Sequence, residues 1–130
     1  MHNEIIKQCA NQIYKTLGSG HSERIYHNAM EVSLRQKYIQ YETERIVPIE
    51  YEGHTIGNMR ADLIIHNSLV VELKAVKCLN SAMNQQALNY LKLTGINQAL
   101  LINFPQVQPD ASECEIVVID KAEERHPEKF

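Results

Sequence analysis

Three charged residues interrupt an apolar stretch in the middle of the chain. Residues 60–75 read RADLIIHNSLVVELKA, so that Asp62, Glu72 and Lys74 stand among leucine, isoleucine, valine and alanine. Carboxylate oxygens are ligands for hard divalent cations. A lysine beside such a cation can hold an attacking hydroxide or the charge that develops on a phosphate. These residue types therefore suggest metal-assisted chemistry on a phosphate group, provided that the fold brings them together.

The local pattern predicts a β-hairpin that does so. His-Asn-Ser is a short polar turn between two apolar runs, and a symmetric hairpin centred on Asn67 places Asp62 opposite Glu72. Opposed residues have Cβ atoms about 4.5–5.5 Å apart, and Lys74 shares their face because it lies two residues beyond Glu72. A slip of one residue would turn Asp62 to the other face. We expect that other face to be the core, since it carries Ala61, Leu63, Ile65, Val71, Leu73 and Ala75.

The hairpin alone leaves two interpretations of its charged face open. Two carboxylates this close repel, and each raises the pKa of the other unless a cation lies between them. Lys74 could be that cation in a surface salt-bridge cluster, which is a common and weak arrangement. A divalent metal ion fits the two carboxylates better, because Mg²⁺ accepts one or two carboxylates and keeps several waters for a substrate phosphate.

Two amphipathic helices are predicted before this hairpin. Apolar residues recur at helical spacing over residues 4–17, and Gly18-Ser19-Gly20 ends that helix. A second helix is expected from about Ser22 to Tyr38. Its apolar stripe is predicted to be Ile25, Ala29 and Val32, with Tyr26 and Met30 beside it.

Strands and one more helix account for the rest of the chain. Residues 41–57 are rich in β-branched and aromatic residues and turn at Glu52-Gly53, and Pro48 suits an edge strand or a bulge. A helix over 80–93 and two apolar strands, QALLINF and CEIVVID, follow. The charged residues 121–130 suggest a frayed helix or a tail. We expect one α/β (α+β) domain over 1–130, with its core in 4–120: two N-terminal helices, a central mixed sheet, a flanking helix and two further strands.

Composition excludes several classes of protein. The chain has 130 residues, of which 44% are hydrophobic and 22% charged, as in a single globular domain. No apolar run approaches the ~20 residues that span a bilayer, so no membrane association is expected. The three cysteines form no CxxC pair, which favours reduced thiols in the cytoplasm. A net charge of −3 gives no sign of nucleic-acid binding, so such binding would have to rest on a local site.

The arrangement of Asp62 with Glu72-Leu73-Lys74 across a hairpin resembles the PD-(D/E)XK nuclease superfamily, whose fold is also called restriction-endonuclease-like. GHSERIY, residues 20–26, fits the G-x-x-E-x-x-Y pattern of a family of small proteins in that superfamily. RADLIIHNSLVVELKAV, QQALNYLKLTG and ALLINF are similar to the successive blocks of these GxxExxY proteins, and the resemblance covers about residues 4–120. Ala61 stands where the superfamily pattern has proline, and GHS replaces a more apolar segment before Glu23.

This resemblance implies a role for the residues that carry it. Asp62 and Glu72 would hold Mg²⁺ or Mn²⁺, with the backbone carbonyl of Leu73 as a further ligand. Lys74 would position or activate the hydrolytic water. Glu23 matches an acidic residue that reaches the metal in many members, often through water. All the expected site acids are present.

Three further residues are implied beside the site. Gln86 and Tyr90 match a Q-x-x-x-Y element that flanks the site in related nucleases, and Tyr26 is the tyrosine of the GxxExxY pattern. Each has a structural alternative. Gln86 and Tyr90 lie one helical turn apart and could simply pack, as could Tyr26. Glu23 could instead cap a free amide and meet the helix dipole in the first turn of its helix.

The expected function is therefore a Mg²⁺- or Mn²⁺-dependent nuclease that hydrolyses phosphodiester bonds in nucleic acid, with DNA favoured over RNA. The alternative is a non-catalytic nucleic-acid-binding or regulatory module that has kept the nuclease fold, which the acidic net charge and the small size favour. A chain this small could need a second copy of itself, as a homodimer, or a partner protein to grip nucleic acid. An unrelated α/β protein with an ordinary surface ion cluster is a third interpretation.

Overall fold

The computed structural model describes residues 2–106 and 113–123. Along this part of the chain the elements are α1 Asn3–Leu17, α2 Glu23–Gln36, β1 Tyr41–Thr43, β2 Ile46–Tyr51, β3 His54–Arg60, β4 Leu63–Ile65, β5 Leu69–Lys74, α3 Ser81–Thr94, β6 Gln98–Asn103, β7 Glu115–Asp120 and a 3-10 helix Lys121–Glu123. The predicted charged tail begins with that 3-10 helix, and its residues 124–130 lie outside the described residues. In this part of the chain no helix is both long enough and apolar enough to cross a membrane.

Five strands form a mixed central sheet in the order β1-β4-β5-β6-β7. β5 and β6 are parallel, and the other neighbouring strands are antiparallel. A parallel pair needs a crossover connection, which α3 provides. The predicted architecture of two N-terminal helices, a mixed sheet, a flanking helix and two further strands is confirmed.

β2 and β3 form a separate two-stranded hairpin. Its turn lies at Glu52 and Gly53, as predicted, and their φ angles of 51° and 80° are both positive, which suits a tight hairpin turn. The pairing register shifts between Ile49 and Glu50, close to Pro48. Pro48 thus lies beside a bulge in a sheet where both strands are edge strands, which agrees with the prediction.

Different helices cover the two faces of the central sheet. α1 and α2 cover one face, to which the strands contribute Leu63, Ile65, Leu69, Val71, Leu73, Leu100 and Ile102. α3 covers the other face, over Ile64, Val70 and Ala99. The larger core is the one predicted from the apolar face of the β4–β5 hairpin. The smaller core lies on the same face as Glu72 and Lys74, because residues two apart share a face.

α2 turns a different side to the sheet from the one predicted. Tyr26, Met30 and Leu34 are fully buried, whereas Ile25 and Val32 are 44% and 43% exposed. The predicted stripe is therefore wrong at Ile25 and Val32, whereas Ala29 is partly buried against the core. The larger side chains fill the space against the sheet, where the ring of Tyr26 stacks on Phe104 with centroids 4.2 Å apart.

Candidate active site

The β4–β5 hairpin has the register predicted from its symmetry. The paired residues are Leu63 with Val71, Ile64 with Val70 and Ile65 with Leu69. This register is centred on Asn67, and its outermost pair, Leu63 with Val71, adjoins Asp62 and Glu72. His66 and Asn67 in the turn have φ angles of 50° and 53°, and two positive φ values match the right-handed twist of the flanking strands.

Asp62 does not belong to a strand, in contrast to the prediction. It occupies a bend between the end of β3 and the start of β4. Its Oδ2 accepts a hydrogen bond of 2.7 Å from the backbone N–H of Leu73, where a straight strand would have offered a carbonyl. The bend also places Ala61 in the core under α3 rather than on the face predicted for it. The bend therefore fixes the Asp62 carboxylate against β5.

A cleft of about 420 Å³ lies over the polar end of the hairpin, and we call it the acidic cleft. All four residues predicted to be catalytic, Glu23, Asp62, Glu72 and Lys74, line it. The start of α2, the β2–β3 hairpin and α3 form its walls. The remaining lining residues are Ile46, Asn58, Met59, Arg60, Met83, Gln86, Ala87 and Tyr90.

Glu72 lies at the bottom of the acidic cleft in an environment that disfavours its charge. Burial, together with the negative charge of Asp62, raises the pKa of Glu72 to about 8. The positive charge of Lys74 opposes this shift without cancelling it. The cleft therefore holds negative charge that Lys74 only partly neutralises.

Glu23 enters the cleft from the first turn of α2. The helix is capped by Ser22, whose Oγ accepts a hydrogen bond from the Ile25 N–H, so the capping role considered for Glu23 is filled by another residue. The residue as a whole is exposed, but its carboxylate lies in the cleft, where partial burial raises its pKa and Lys74 opposes the rise. Glu23 therefore shares the electrostatic environment of the two hairpin residues Asp62 and Lys74.

A buried polar network fixes the chain directly after Lys74. Lys74 is the last residue of β5 and is in register with Asn103 of β6, which is fully buried. The Asn103 side chain accepts a hydrogen bond of 2.9 Å from the Val76 N–H and donates bonds of 3.0 Å to the Val76 carbonyl and 3.1 Å to the Glu115 carboxylate. This network holds the end of β5, so the position of Lys74 depends on buried hydrogen bonds of its neighbours.

Gln86 and Tyr90 lie together on the α3 wall of the cleft. Tyr90 is 1% exposed, and its hydroxyl donates a hydrogen bond of 3.1 Å to the backbone carbonyl of Arg45, the residue before β2. Tyr90 thereby ties α3 to the base of the β2–β3 hairpin. Gln86 is exposed at the cleft surface. The two residues thus both line the α3 side of the cleft.

Tyr26 and Leu73 are not among the residues that line the acidic cleft. Tyr26 is fully buried among the core residues, and its hydroxyl donates a hydrogen bond of 2.6 Å to the carbonyl of Gly18. The Leu73 side chain belongs to the core under α1 and α2, while its N–H binds Asp62. Leu73 also lines a smaller adjacent cavity of about 170 Å³ with Glu23 and Asp62.

Several cleft residues were not predicted from the sequence. Asn58 and Arg60 reach the cleft from β3, and His27, one turn after Glu23, lines the smaller cavity and is only 4% exposed. Ile46 and Met83 complete the cleft walls. The only sequence signal for Arg60 was its position two residues before Asp62. The others come close only through tertiary packing of the β2–β3 hairpin and the helices.

Comparison with known proteins identifies the family. The sequence profile of a family of the PD-(D/E)XK nuclease superfamily matches residues 1–115, so the chain belongs to that superfamily. No protein with a curated description matches the sequence.

Solved structures show the same fold at low sequence identity. The protein SSO0001 superposes with a TM-score of 0.58 at 17% identity, over 93% of this chain and 78% of that chain. A phage-related exonuclease from Haemophilus somnus 129PT superposes with a TM-score of 0.50 at 8% identity, over 92% of this chain and 71% of that chain. At these identities the similarity establishes the fold alone.

Proteins of this superfamily generally use divalent metal ions, so we tested whether the residues of the cleft fit one. Within residues 2–106 and 113–123, no group of three or more histidine, cysteine, aspartate or glutamate side chains is arranged to hold a metal ion. The cleft instead offers two adjacent carboxylates, Asp62 and Glu72, which is the number that Mg²⁺ accepts when it keeps several waters. The donors are oxygens, and burial, followed by the repulsion from Asp62, raises the pKa of Glu72. This donor chemistry fits a hard divalent cation.

Proposed function

We propose that this protein is a divalent-metal-dependent nuclease that hydrolyses phosphodiester bonds in nucleic acid, with DNA favoured over RNA. The observation that carries the proposal is the convergence of Glu23, Asp62, Glu72 and Lys74 in one cleft. Two of these residues come from the β5 strand, one from the preceding bend and one from α2. Convergence from separate elements on a nuclease fold favours a reaction site over an accidental surface ion cluster.

In this proposal Asp62 and Glu72 hold Mg²⁺ or Mn²⁺, the Leu73 carbonyl is a further ligand, and Glu23 reaches the ion through water. When bound, such an ion supplies positive charge beside the phosphate and lowers the pKa of water. The Leu73 N–H donates its hydrogen bond to Asp62 Oδ2, while Asp62 lines the cleft. The same bond orients the carboxylate before any ligand arrives, which reduces the ordering that binding requires.

Lys74 steadies the attacking water in this mechanism. Among the described residues its ammonium forms no ion pair, so its positive charge is available for the nucleophile or for the charge developing on the phosphate. The water oxygen forms a bond to phosphorus in line with the oxygen that leaves. The bond between phosphorus and the 3′ oxygen breaks, the attacking water releases a proton, and the leaving 3′ oxygen takes one up, which yields a 5′-phosphate and a 3′-hydroxyl.

We further propose that the chain is one of the GxxExxY proteins. In its GHSERIY segment Gly20 has a φ angle of 95°, a conformation that favours glycine, and it lies in the loop three residues before Glu23, the first residue of α2. Tyr26 closes the loop between α1 and α2, since its hydroxyl donates to Gly18 and accepts a 3.4 Å hydrogen bond from the His21 N–H. The glycine and tyrosine of the pattern then have structural roles, while Glu23 between them faces the cleft.

A cleavage assay tests the proposal. The purified protein is incubated with Mg²⁺ or Mn²⁺ and a panel of labelled single-stranded, duplex and nicked DNA and RNA. Wild type should cleave at least one substrate, EDTA should stop it, and Lys74→Ala should reduce the rate by about 10²–10³-fold. Gln85→Ala is the matched control, because Gln85 is exposed on α3 outside the cleft.

Equal rates in wild type and Lys74→Ala would overturn the proposal, because contaminating nuclease would then explain the activity. Saturable metal binding without cleavage of any substrate would instead favour the non-catalytic module. The net charge of −3 favours the regulatory form of that alternative, because it disfavours binding of a polyanion outside a local site.

A further inference from the structure

The acidic cleft is lined by apolar as well as charged side chains. Glu72 lies at the floor, while Ala87 and Tyr90 are 2% and 1% exposed and close the α3 side. Ile46 lies at the mouth, where it is 62% exposed. Met83, in the first turn of α3, lines the opposite wall and is half-buried. The β2–β3 wall and the α3 wall of the cleft therefore both carry apolar side chains.

Two side-chain amides lie in the same walls. Asn58 enters from β3 and Gln86 from α3, and both residues are exposed. Among the described residues neither side-chain amide makes a hydrogen bond, whereas the neighbouring Gln85 amide binds Asn89. Amide groups offer a donor and an acceptor side by side, and this pairing matches the edge of a nucleobase.

One face of the β2–β3 hairpin carries both polar and apolar side chains that line the cleft. Ile46 pairs with Arg60, and Pro48 pairs with Asn58, and opposed residues of a hairpin share a face. Arg60 forms no ion pair within residues 2–106 and 113–123, so its guanidinium is available for a phosphate. This face therefore presents an apolar surface, an amide and a cation beside one another.

We propose that the cleft mouth between Ile46 and Met83 binds an unpaired nucleobase next to the reacting phosphate, and that Asn58 and Gln86 hydrogen-bond to its edge. The inference rests on the proposed function and adds its substrate class, which is a single strand or the frayed end of a duplex. In a duplex the bases are stacked inward, so they cannot fill an apolar mouth beside a backbone phosphate unless they are turned out of the stack.

The dimensions and the chemistry of the cleft agree with this substrate. Its volume of about 420 Å³ lies at the lower end of the range for small-molecule sites, and it suits one nucleotide unit. Apolar surfaces accept any base because each base has an apolar face, and hydrogen bonding to base edges is the usual way in which proteins contact unstacked strands. Arg60 at the rim would contact the phosphate of the neighbouring nucleotide.

The test is a binding measurement with the Lys74→Ala protein, which should bind without cutting. Fluorescence anisotropy with Mg²⁺ compares a labelled 12-nucleotide single strand with a blunt duplex of the same sequence at one salt concentration, because nucleic-acid affinities depend on salt. We expect the single strand to bind at least about tenfold more tightly. Adding Ile46→Ala or Gln86→Ala to this protein should weaken single-strand binding about three- to tenfold.

Two matched controls separate the mouth from the rest of the surface. Ile56 is 64% exposed on β3, about as much as Ile46, but lies outside the cleft, and Gln85 is the exposed neighbour of Gln86. Ile56→Ala and Gln85→Ala should leave binding unchanged, with folding checked by circular dichroism.

Equal affinity for strand and duplex, unchanged binding in Ile46→Ala and Gln86→Ala, or no binding of either nucleic acid would overturn the inference. The cleavage assay on wild type decides the proposed function independently, since a nuclease that cuts duplex equally well would retain that function and lose only this substrate class.

Discussion

The two faces of the central sheet are built from the same strands but differ in what they contribute to the protein. Toward α1 and α2, the residues of β5 are Leu69, Val71 and Leu73, and all are buried apolar side chains. Toward α3, the first residue, Val70, is buried in the smaller core, but the next two are Glu72 and Lys74 in the acidic cleft. The start of β5 therefore packs into a core on both faces of the sheet. Its end packs into a core on one face and lines the acidic cleft on the other.

This difference shows how the fold supports charge in its interior. The face toward α1 and α2 supplies the apolar burial, which stabilises a domain at about 25 cal/mol per Å². On the other face, burial and the nearby charge of Asp62 raise the pKa of Glu72. Holding these two carboxylates together lowers the stability of the fold in the absence of a cation. Ionisable groups with strongly perturbed pKa values are concentrated at functional sites in enzymes.

The largest expected contrast is between neighbouring residues of β5. Leu73→Ala removes a side chain that is 1% exposed in the main core and should lower the free energy of unfolding by about 2–5 kcal/mol. Lys74→Ala should change it by less than about 1 kcal/mol, because the lysine contributes to the cleft rather than to the core. Urea unfolding of both variants in EDTA measures the contrast. Similar losses in the two variants would mean that the two faces are not separated as described.

The next effect concerns the pH dependence of the metal-free protein. The pKa of Glu72 is raised from 4.5 to about 8, so between these values the folded state holds a proton that the unfolded state has released. The associated stability is full below pH 4.5 and is lost as the pH rises through about 8. Glu72→Gln cannot ionise, and in EDTA at pH 9 it should be more stable than wild type by about 1–3 kcal/mol, with little difference at pH 4.5.

Thermal or urea unfolding across this pH range checks the Glu72 prediction. A constant difference between Glu72→Gln and wild type at every pH would show that Glu72 is not the group that titrates. Leu73 needs no such series, because its contribution is apolar and independent of pH.

A smaller effect separates the charge of Asp62 from its hydrogen bond. Asp62→Asn removes the charge but keeps an oxygen that can accept from the Leu73 N–H, whereas Asp62→Ala leaves that N–H without its partner. We expect Asp62→Ala to be less stable than Asp62→Asn by about 1 kcal/mol. Denaturant midpoints in EDTA give the difference. If the two variants unfold together, the bond contributes nothing to holding the bend.

The smallest effect is expected on the outer side of α2. Val32 is 43% exposed, although the sequence pattern assigned it to the buried stripe, and Leu34 is fully buried two residues later. Val32→Ala should change the stability by less than about 0.5 kcal/mol, and Leu34→Ala should cost about 2–5 kcal/mol. Thermal melts of the two variants measure this contrast, and a large loss in Val32→Ala would favour the stripe predicted from the sequence.

The order of the helices and strands and the register of the β4–β5 hairpin could be predicted from the sequence. The symmetry of the segment around Asn67 predicted that Asp62 opposes Glu72, because side chains alternate along a strand. The pattern could not reveal the bend at Asp62, since a carboxylate that replaces a backbone acceptor leaves the alternation of residue types unchanged. The face of α2 was missed for a related reason, because Tyr26 and Val32 are both apolar and only packing decides which is buried.

The cleft was predictable in part. Asp62, Glu72 and Lys74 follow from one local hairpin, whereas Glu23 could be connected to them only through a family resemblance. The positions of Asn58 and Arg60 in the cleft depend on the tertiary packing of the β2–β3 hairpin. The hydrogen bond from Tyr90 to the Arg45 carbonyl contributes to this packing. Spacing along one sequence carries no information about such contacts.

The central claim is that Asp62 and Glu72 form a metal site, and calorimetric titration of Mn²⁺ tests it most directly. Wild type and Lys74→Ala should bind saturably, and Asp62→Asn should lose that binding while remaining folded, since it keeps the acceptor for the Leu73 N–H. The titration is repeated with a short oligonucleotide, because substrate phosphate can complete a metal site. Equal binding by wild type and Asp62→Asn, or no binding by wild type with or without the oligonucleotide, would contradict the account.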